Sequence, residues 1–103
     1  MDALIVDIDG TLAHHFDTEG NQTRGHHEYA LVGTDRPDYH IIHMVRLYSK
    51  AGYQIVITSG RPSSRKGVDV RQLTVDWLIR EEVPFDELFM RQESDYRPDY
   101  EVK

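Results

Sequence analysis

Apolar residues fall in a few blocks along this chain, and the spacing inside each block predicts an element. Ala3-Leu4-Ile5-Val6 and Ile8 form a nearly continuous apolar run over 3–8, the pattern of a buried strand. A polar segment follows from Ala13 to about Thr34, holding Gly20, Gly25, Gly33 and the pairs His14-His15 and His26-His27. So long a polar connection in a small domain is usually functional. From about Pro37 to Ala51, Ile41, Val45 and Tyr48, with Ile42 and Met44 beside them, recur at helical spacing. Asp35 is the expected N-cap, Pro37 suits the first turn and Gly52 the C-terminal cap. Tyr53–Thr58 reads as a second buried strand, cut off by Ser59-Gly60-Arg61-Pro62. A second helix is expected from about Asp69 to Glu82, with Val70, Leu73, Trp77 and Leu78 on one face and Pro84 beyond its end. Leu88-Phe89-Met90 is a short third strand, and the polar tail from Gln92 to Lys103 has a helix start at Pro98-Asp99.

Strands alternating with helices imply a parallel sheet with right-handed crossovers. The expected fold class is α/β, one half of a doubly wound fold, with strand order 3-2-1 and the first strand at an edge. The candidate chemistry lies at the strand ends. The first strand stops in Asp7-Ile8-Asp9-Gly10-Thr11. Residues two apart on a strand share a side, so Asp7 and Asp9 are expected to converge at the C-terminal end, where open α/β sheets bind ligands. Two oxygen ligands on one side suit a hard cation such as Mg²⁺, and two carboxylates can divide nucleophilic and acid/base work. A turn explains Asp9-Gly10 but neither Asp7 nor the apolar run. A calcium loop fails as well: with Gly10 at its sixth position, Ile5 and Phe16 fall where acidic ligands are needed.

The second strand ends in Thr58-Ser59-Gly60-Arg61, which a parallel sheet brings beside Asp7. Hydroxyls, a flexible turn and a guanidinium suit a phosphate.

Composition narrows the picture. A chain of 103 residues makes one domain at most and buries somewhat over about 60% of its unfolded surface. With 39% hydrophobic and 29% charged residues and a mean hydropathy of −0.59, it reads as soluble and globular. A net charge of −6 argues against a broad nucleic-acid groove but not against recognition of one strand end. The absence of cysteine excludes disulfides and cysteine-based zinc sites. No apolar run approaches the ~18 residues of a membrane helix, and no signal-type N-terminus is seen, so a cytoplasmic location is expected. The six histidines match no zinc motif such as H-E-x-x-H, and His40 and His43 lie one helical turn apart. Solvation is their default reading, with substrate contact open for those of the polar segment. Tyr29 and Tyr39 are open between packing and stacking on a base.

Val6-Asp7-Ile8-Asp9-Gly10-Thr11-Leu12-Ala13 resembles the opening motif of the haloacid dehalogenase (HAD) superfamily, D-x-D-G-T after a buried strand. The whole chain resembles the first part of the 3′-phosphatase domain of bacteriophage polynucleotide kinase/phosphatase. Gly52–Arg61 is similar to its second strand and turn, and Asp95–Lys103 to the segment leading into its motif-three lysine. The resemblance implies a HAD-like (Rossmannoid) three-layer core in a single domain over 1–103, with 13–34 as a polar, cap-like insert.

In activity, it implies a Mg²⁺-dependent phosphomonoesterase. Asp7 would attack phosphorus to form an aspartyl-phosphate, and Asp9 would protonate the leaving hydroxyl and then activate water. Mg²⁺ would be held by the Asp7 carboxylate and the Asp9 main-chain carbonyl. Ser59, with Thr58 as the alternative, would match the motif-two hydroxyl. Arg61 and Lys103 would neutralise charge, and Thr11 and Gly60 would border the phosphate. Arg24 resembles a substrate-covering arginine, expected to engage only when substrate is present and so to matter less than Arg61.

The fourth motif of the superfamily, an acidic pair after a further strand, has no counterpart; Asp95 and Asp99 align with the segment before the lysine. The sheet is therefore expected to be incomplete at its C-terminal side. The chain would then be a fragment, be completed by a companion chain or a homodimer partner, or bind metal weakly. The kinase half is absent as well, since no G-x-x-x-x-G-K-[ST] loop occurs. The substrate that the resemblance implies is a phosphorylated nucleic-acid end, with a small-molecule phosphomonoester as the alternative; a third reading is a catalytically poor phosphate-binding fragment.

Overall fold

The computed structural model describes residues 2–17, 19–25 and 28–91. His26, His27, Asp95, Asp99, Lys103 and the expected tail helix lie outside them. The elements run β1 (Ala3–Asp7), β2 (Ala13–His14), a 3₁₀ turn (Tyr29–Thr34), β3 (Arg36–Pro37), α1 (Tyr39–Lys50), β4 (Gln54–Pro62), α2 (Val70–Arg80) and β5 (Glu87–Arg91).

Three parallel strands form the sheet in the order β1-β4-β5, the expected 3-2-1 arrangement with the Asp7 strand at an edge. Because the order never reverses and such crossovers share one hand, both helices fall on one face. The core bears this out: Val6 and Ile8, Ile55 and Ile57, and Leu88 pack with Ile42 and Val45 of α1 and with Trp77 and Leu78 of α2. Of the three layers expected, the described residues form the sheet and one helical layer. On the opposite face Ile5 is 70% and Phe89 54% exposed. The second domain-scale feature is the segment 13–37, where β2 and β3 pair antiparallel, Ala13 with Pro37 and His14 with Arg36.

Three expectations need correction. α1 is capped by Asp38, whose side chain accepts from the Ile41 N–H at 3.2 Å, and not by Asp35. Pro37 explains the difference, since a residue before proline is driven out of the helical region; Arg36 and Pro37 form β3 instead. The buried face of α1 is Ile42 and Val45 with Ile41 beside it, whereas Met44 and Tyr48 are exposed. β4 does not stop at Thr58 but runs to Pro62 across a register shift between those two residues. Gly60 lies in that irregularity, a common place for glycine in a strand. Gly52 does follow α1 with φ +96°, the left-handed conformation of a helix-ending glycine.

Candidate active site

β1 delivers Asp7 to its C-terminal end, in register with Thr58 of β4. Paired residues on adjacent parallel strands share a face, so the Asp7 carboxylate and the Thr58 hydroxyl emerge side by side. Beyond Asp7 the chain turns tightly. The Ile8 carbonyl accepts from the N–H groups of Thr11, Leu12 and Ala13 at 3.1, 2.9 and 3.0 Å. Fully buried Ile8, Leu12 and Ala13 anchor this turn in the core, and Thr11 sits within it. Gly10 adopts φ +81° there with open space where a Cβ would stand. Gly10→Ala therefore meets no clash but does meet left-handed strain, and a loss of about 1–2 kcal/mol is expected in urea unfolding.

Asp9, past the strand end, joins a buried ion-pair cluster. Arg61 is 2% exposed and grips Asp9 with two nitrogens, Nε to Oδ2 at 3.0 Å and Nη2 to Oδ1 at 2.8 Å. It also donates to Asp35 Oδ2 at 2.9 Å and to Thr74 Oγ1 of α2 at 3.1 Å. Arg24, 3% exposed, makes its own fork onto Asp35 at 2.7 and 3.0 Å and reaches Asp9 Oδ1 at 3.4 Å. Arg24 is thus already held in ion pairs, contrary to the expectation that it engages only with substrate. Trp77 Nε1 donates to the Asp35 carbonyl at 3.0 Å, tying the end of the insert to α2. Ser59 is buried, and its Oγ accepts from the Arg61 N–H at 3.0 Å. Of the two candidate hydroxyls it is Thr58 that stands beside Asp7.

All 103 residues match the family of the polynucleotide kinase PNKP phosphatase domain, of HAD type. The chain belongs to this family. Among solved structures, a chain of the Pnkp1/Rnl/Hen1 complex is 26% identical with a TM-score of 0.81, matching 99% of this chain and 32% of its own length. A chain of the Pnkp1/Rnl/Hen1 RNA repair complex is 25% identical, TM-score 0.81, over 98% of this chain and 29% of its own. A Vibrio cholerae protein is 28% identical with a TM-score of 0.64, over 87% of this chain and 69% of its own. This chain thus spans about a third of the length of the first two relatives. No helix among the described residues is long and apolar enough to cross a membrane.

Within this phosphatase-domain fold, sequence reasoning missed Asp35, His15 and Thr74. Pro37 was the available signal for Asp35, because it leaves a helix cap to Asp38 and frees Asp35 for another role. His14 and His15 are half-buried and paired with carboxylates rather than free on the surface. His14 Nε2 lies 3.0 Å from Asp38 Oδ2, and this bond holds the Asp38 carboxyl below its usual range. His15 lies 3.5 Å from Asp9 Oδ1 and 3.4 Å from Asp35 Oδ1. His40 and His43 are exposed on α1.

Ligand atoms of Asp9, His15 and Asp35 come within 4.8 Å of one another, close enough to enclose a metal ion. The same carboxylates already accept from two guanidiniums, so a divalent ion at their centre faces like charges at ion-pair distance. Arginine, rather than metal, balances this cluster. The pair expected to hold Mg²⁺, the Asp7 carboxylate and the Asp9 main-chain carbonyl, consists of hard oxygen ligands of the kind that ion takes.

Burial alone would raise the Asp9 carboxyl, but the Arg61 hydrogen bonds and charge, with His15 and Arg24 adding to them, hold it below its ordinary 3.8. A carboxyl depressed on folding stabilises the fold above its unfolded value, and that stability is lost as pH falls through the folded one. Stability is therefore expected to drop below about pH 3.8. Asp9→Asn should start less stable and lose less on acidification, as read by urea midpoints between about pH 5 and pH 2.

Proposed function

We propose that this chain carries a Mg²⁺-dependent phosphomonoesterase site that removes 3′-phosphate from nucleic-acid ends in the cytoplasm. The observation that supports this reading best is Asp7 at the C-terminal end of β1, beside Thr58, in a chain that matches a phosphatase-domain family from end to end. We take residues 1–103 as one domain, with 13–34 as its insert.

The Asp7 carboxylate attacks phosphorus in line with the departing 3′-oxygen, forming an aspartyl-phosphate as the P–O bond to the strand breaks. Asp9 supplies the proton that the leaving oxygen takes. Asp9 then removes a proton from water, whose oxygen displaces phosphate from Asp7, releasing inorganic phosphate and restoring both carboxyls. Mg²⁺, when bound, neutralises charge between nucleophile and phosphate. The Thr58 and Thr11 hydroxyls donate hydrogen bonds to the phosphate oxygens.

Asp9 gripped by Arg61 is ionised, which suits the base of the second step but not the acid of the first. An incoming phosphate dianion competes for the same guanidinium hydrogen bonds. As Arg61 and Arg24 turn to it, Asp9 loses the charges that depress its carboxyl and takes up a proton. The two arginines thus couple substrate entry to the protonation of the acid. By resemblance, Lys103, which lies outside the described residues, would neutralise phosphate and nucleophile charge.

Release of phosphate from a 3′-phosphorylated oligonucleotide, compared with a generic aryl phosphate, tests the reading. Faster turnover of the oligonucleotide is expected, and equal rates would assign a small-molecule phosphatase instead. The edge of β1 opposite β4 forms no ladder among the described residues, and such an edge recruits strands. A second copy, in a symmetric dimer, or a companion chain is expected to cover it; a stable monomer by light scattering would refute this.

A further inference from the structure

A cleft of about 270 Å³ lies between the 3₁₀ turn and the loop after β4, lined by Glu28, Tyr29, Leu31, Arg65, Lys66 and Val68 among others. The segments that form it are those that build the ion-pair cluster. Tyr29 opens the turn that ends at Asp35, and Arg65 and Lys66 follow Arg61 by four and five residues. Burial pushes the Tyr29 hydroxyl above its ordinary value, and the charges of Arg65, Asp9, Arg24 and Arg61 all reach it. The cleft is thus joined through both of its segments to the ion-pair cluster.

Its chemistry is that of a nucleotide. The Arg65 guanidinium carbon stands 5.9 Å above the Tyr29 ring centroid, within cation–π range. Leu31 and Val68 add apolar surface, and Lys66 is exposed at the rim. Glu28 also lines the cleft, but its carboxylate accepts from the Gly25 N–H at 2.7 Å. Two cations against one committed carboxylate leave the cleft positive in a chain whose net charge is −6. Ligand pockets for drug-sized molecules run to roughly 300–1,000 Å³, so this space suits one nucleotide and not a duplex. An aromatic face joined to cations is how single strands are held without base readout.

We infer that this cleft is the subsite for the terminal nucleotide of a single-stranded end, its base against Tyr29 and Leu31 and its 5′-phosphate on Arg65 and Lys66. This rests on the phosphatase reading and adds to it what selects the substrate.

The test compares adenosine 3′,5′-bisphosphate with adenosine 3′-phosphate on the full chain. The wild-type protein should prefer the bisphosphate about tenfold in kcat/KM, one good charge-assisted contact being worth about that factor. In Arg65→Ala/Lys66→Ala the ratio should fall to about one. A purely structural effect lowers both rates and leaves the ratio, and that result overturns the inference, as does a wild-type ratio of one. If the wild type hydrolyses neither compound, the phosphatase reading fails on its own. Calorimetric binding then decides the subsite: tighter binding of the bisphosphate by wild type, lost in the double variant, supports it, and equal binding refutes it.

Discussion

Asp7→Asn is expected to abolish phosphatase activity while leaving the fold intact. The amide keeps the size and shape of the carboxylate but cannot act as the nucleophile, and no neighbour is placed to substitute at the end of β1. Thr58, beside it, is a hydroxyl at its ordinary weak nucleophilicity. Asp9→Asn should cost nearly as much, since acid/base catalysis alone is typically worth about 10²–10⁴-fold. Phosphate release, with far-UV and near-UV circular dichroism to verify folding, measures both. Wild-type activity in Asp7→Asn would remove aspartyl-phosphate chemistry altogether. Asp9→Asn also weakens a two-nitrogen grip by buried Arg61, so its unfolding midpoint should fall.

How much of this was legible in the sequence follows from how local each signal is. The run Ala3–Ile8 and the block Gln54–Thr58 read as strands from composition alone, and of their apolar residues Val6, Ile8, Ile55 and Ile57 pack under the helices whereas Ile5 lies on the open face. The D-x-D-G-T turn was equally plain, since a positive φ at Gly10 and a strand end at Asp7 leave local marks. What could not be read was which charged side chains turn inward. Arg24, Asp35 and Arg61 look like surface residues in a polar insert and a turn, yet all three are nearly inaccessible. Their burial depends on finding one another across 11 and 26 residues of sequence, and pairing at such separations carries no periodicity. The continuation of β4 to Pro62 was hidden for a related reason. Ser59 and Arg61 belong to its buried face, but as polar residues they read as a break in the strand.

Asp35 should prove the most costly single position for stability, although only Pro37, two residues on, marks it in the sequence. Its side chain has no exposure and accepts from Arg24 and Arg61 at 2.7 to 3.0 Å. Asp35→Ala leaves two guanidiniums in a low-dielectric interior with only Asp9, itself partly open to water, to balance them. Removing one partner of a buried ion pair typically costs about 3–5 kcal/mol, a large share of the ~5–15 kcal/mol that holds a domain together. Urea unfolding at neutral pH reads this directly, and a midpoint within error of wild type would show that the cluster contributes little. A double variant separates lost charge from lost packing. With Asp35→Leu in place, adding Arg24→Met removes an orphaned cation and should recover part of the stability. Arg24→Ala and Arg61→Ala should both lower the midpoint, since each leaves Asp35 short of a partner, and Arg61→Ala should lower it more, because Asp9 also loses its two-nitrogen grip. Arg24 is nonetheless as deeply buried as Arg61 and is held by the same residue, so its loss is felt before any substrate arrives.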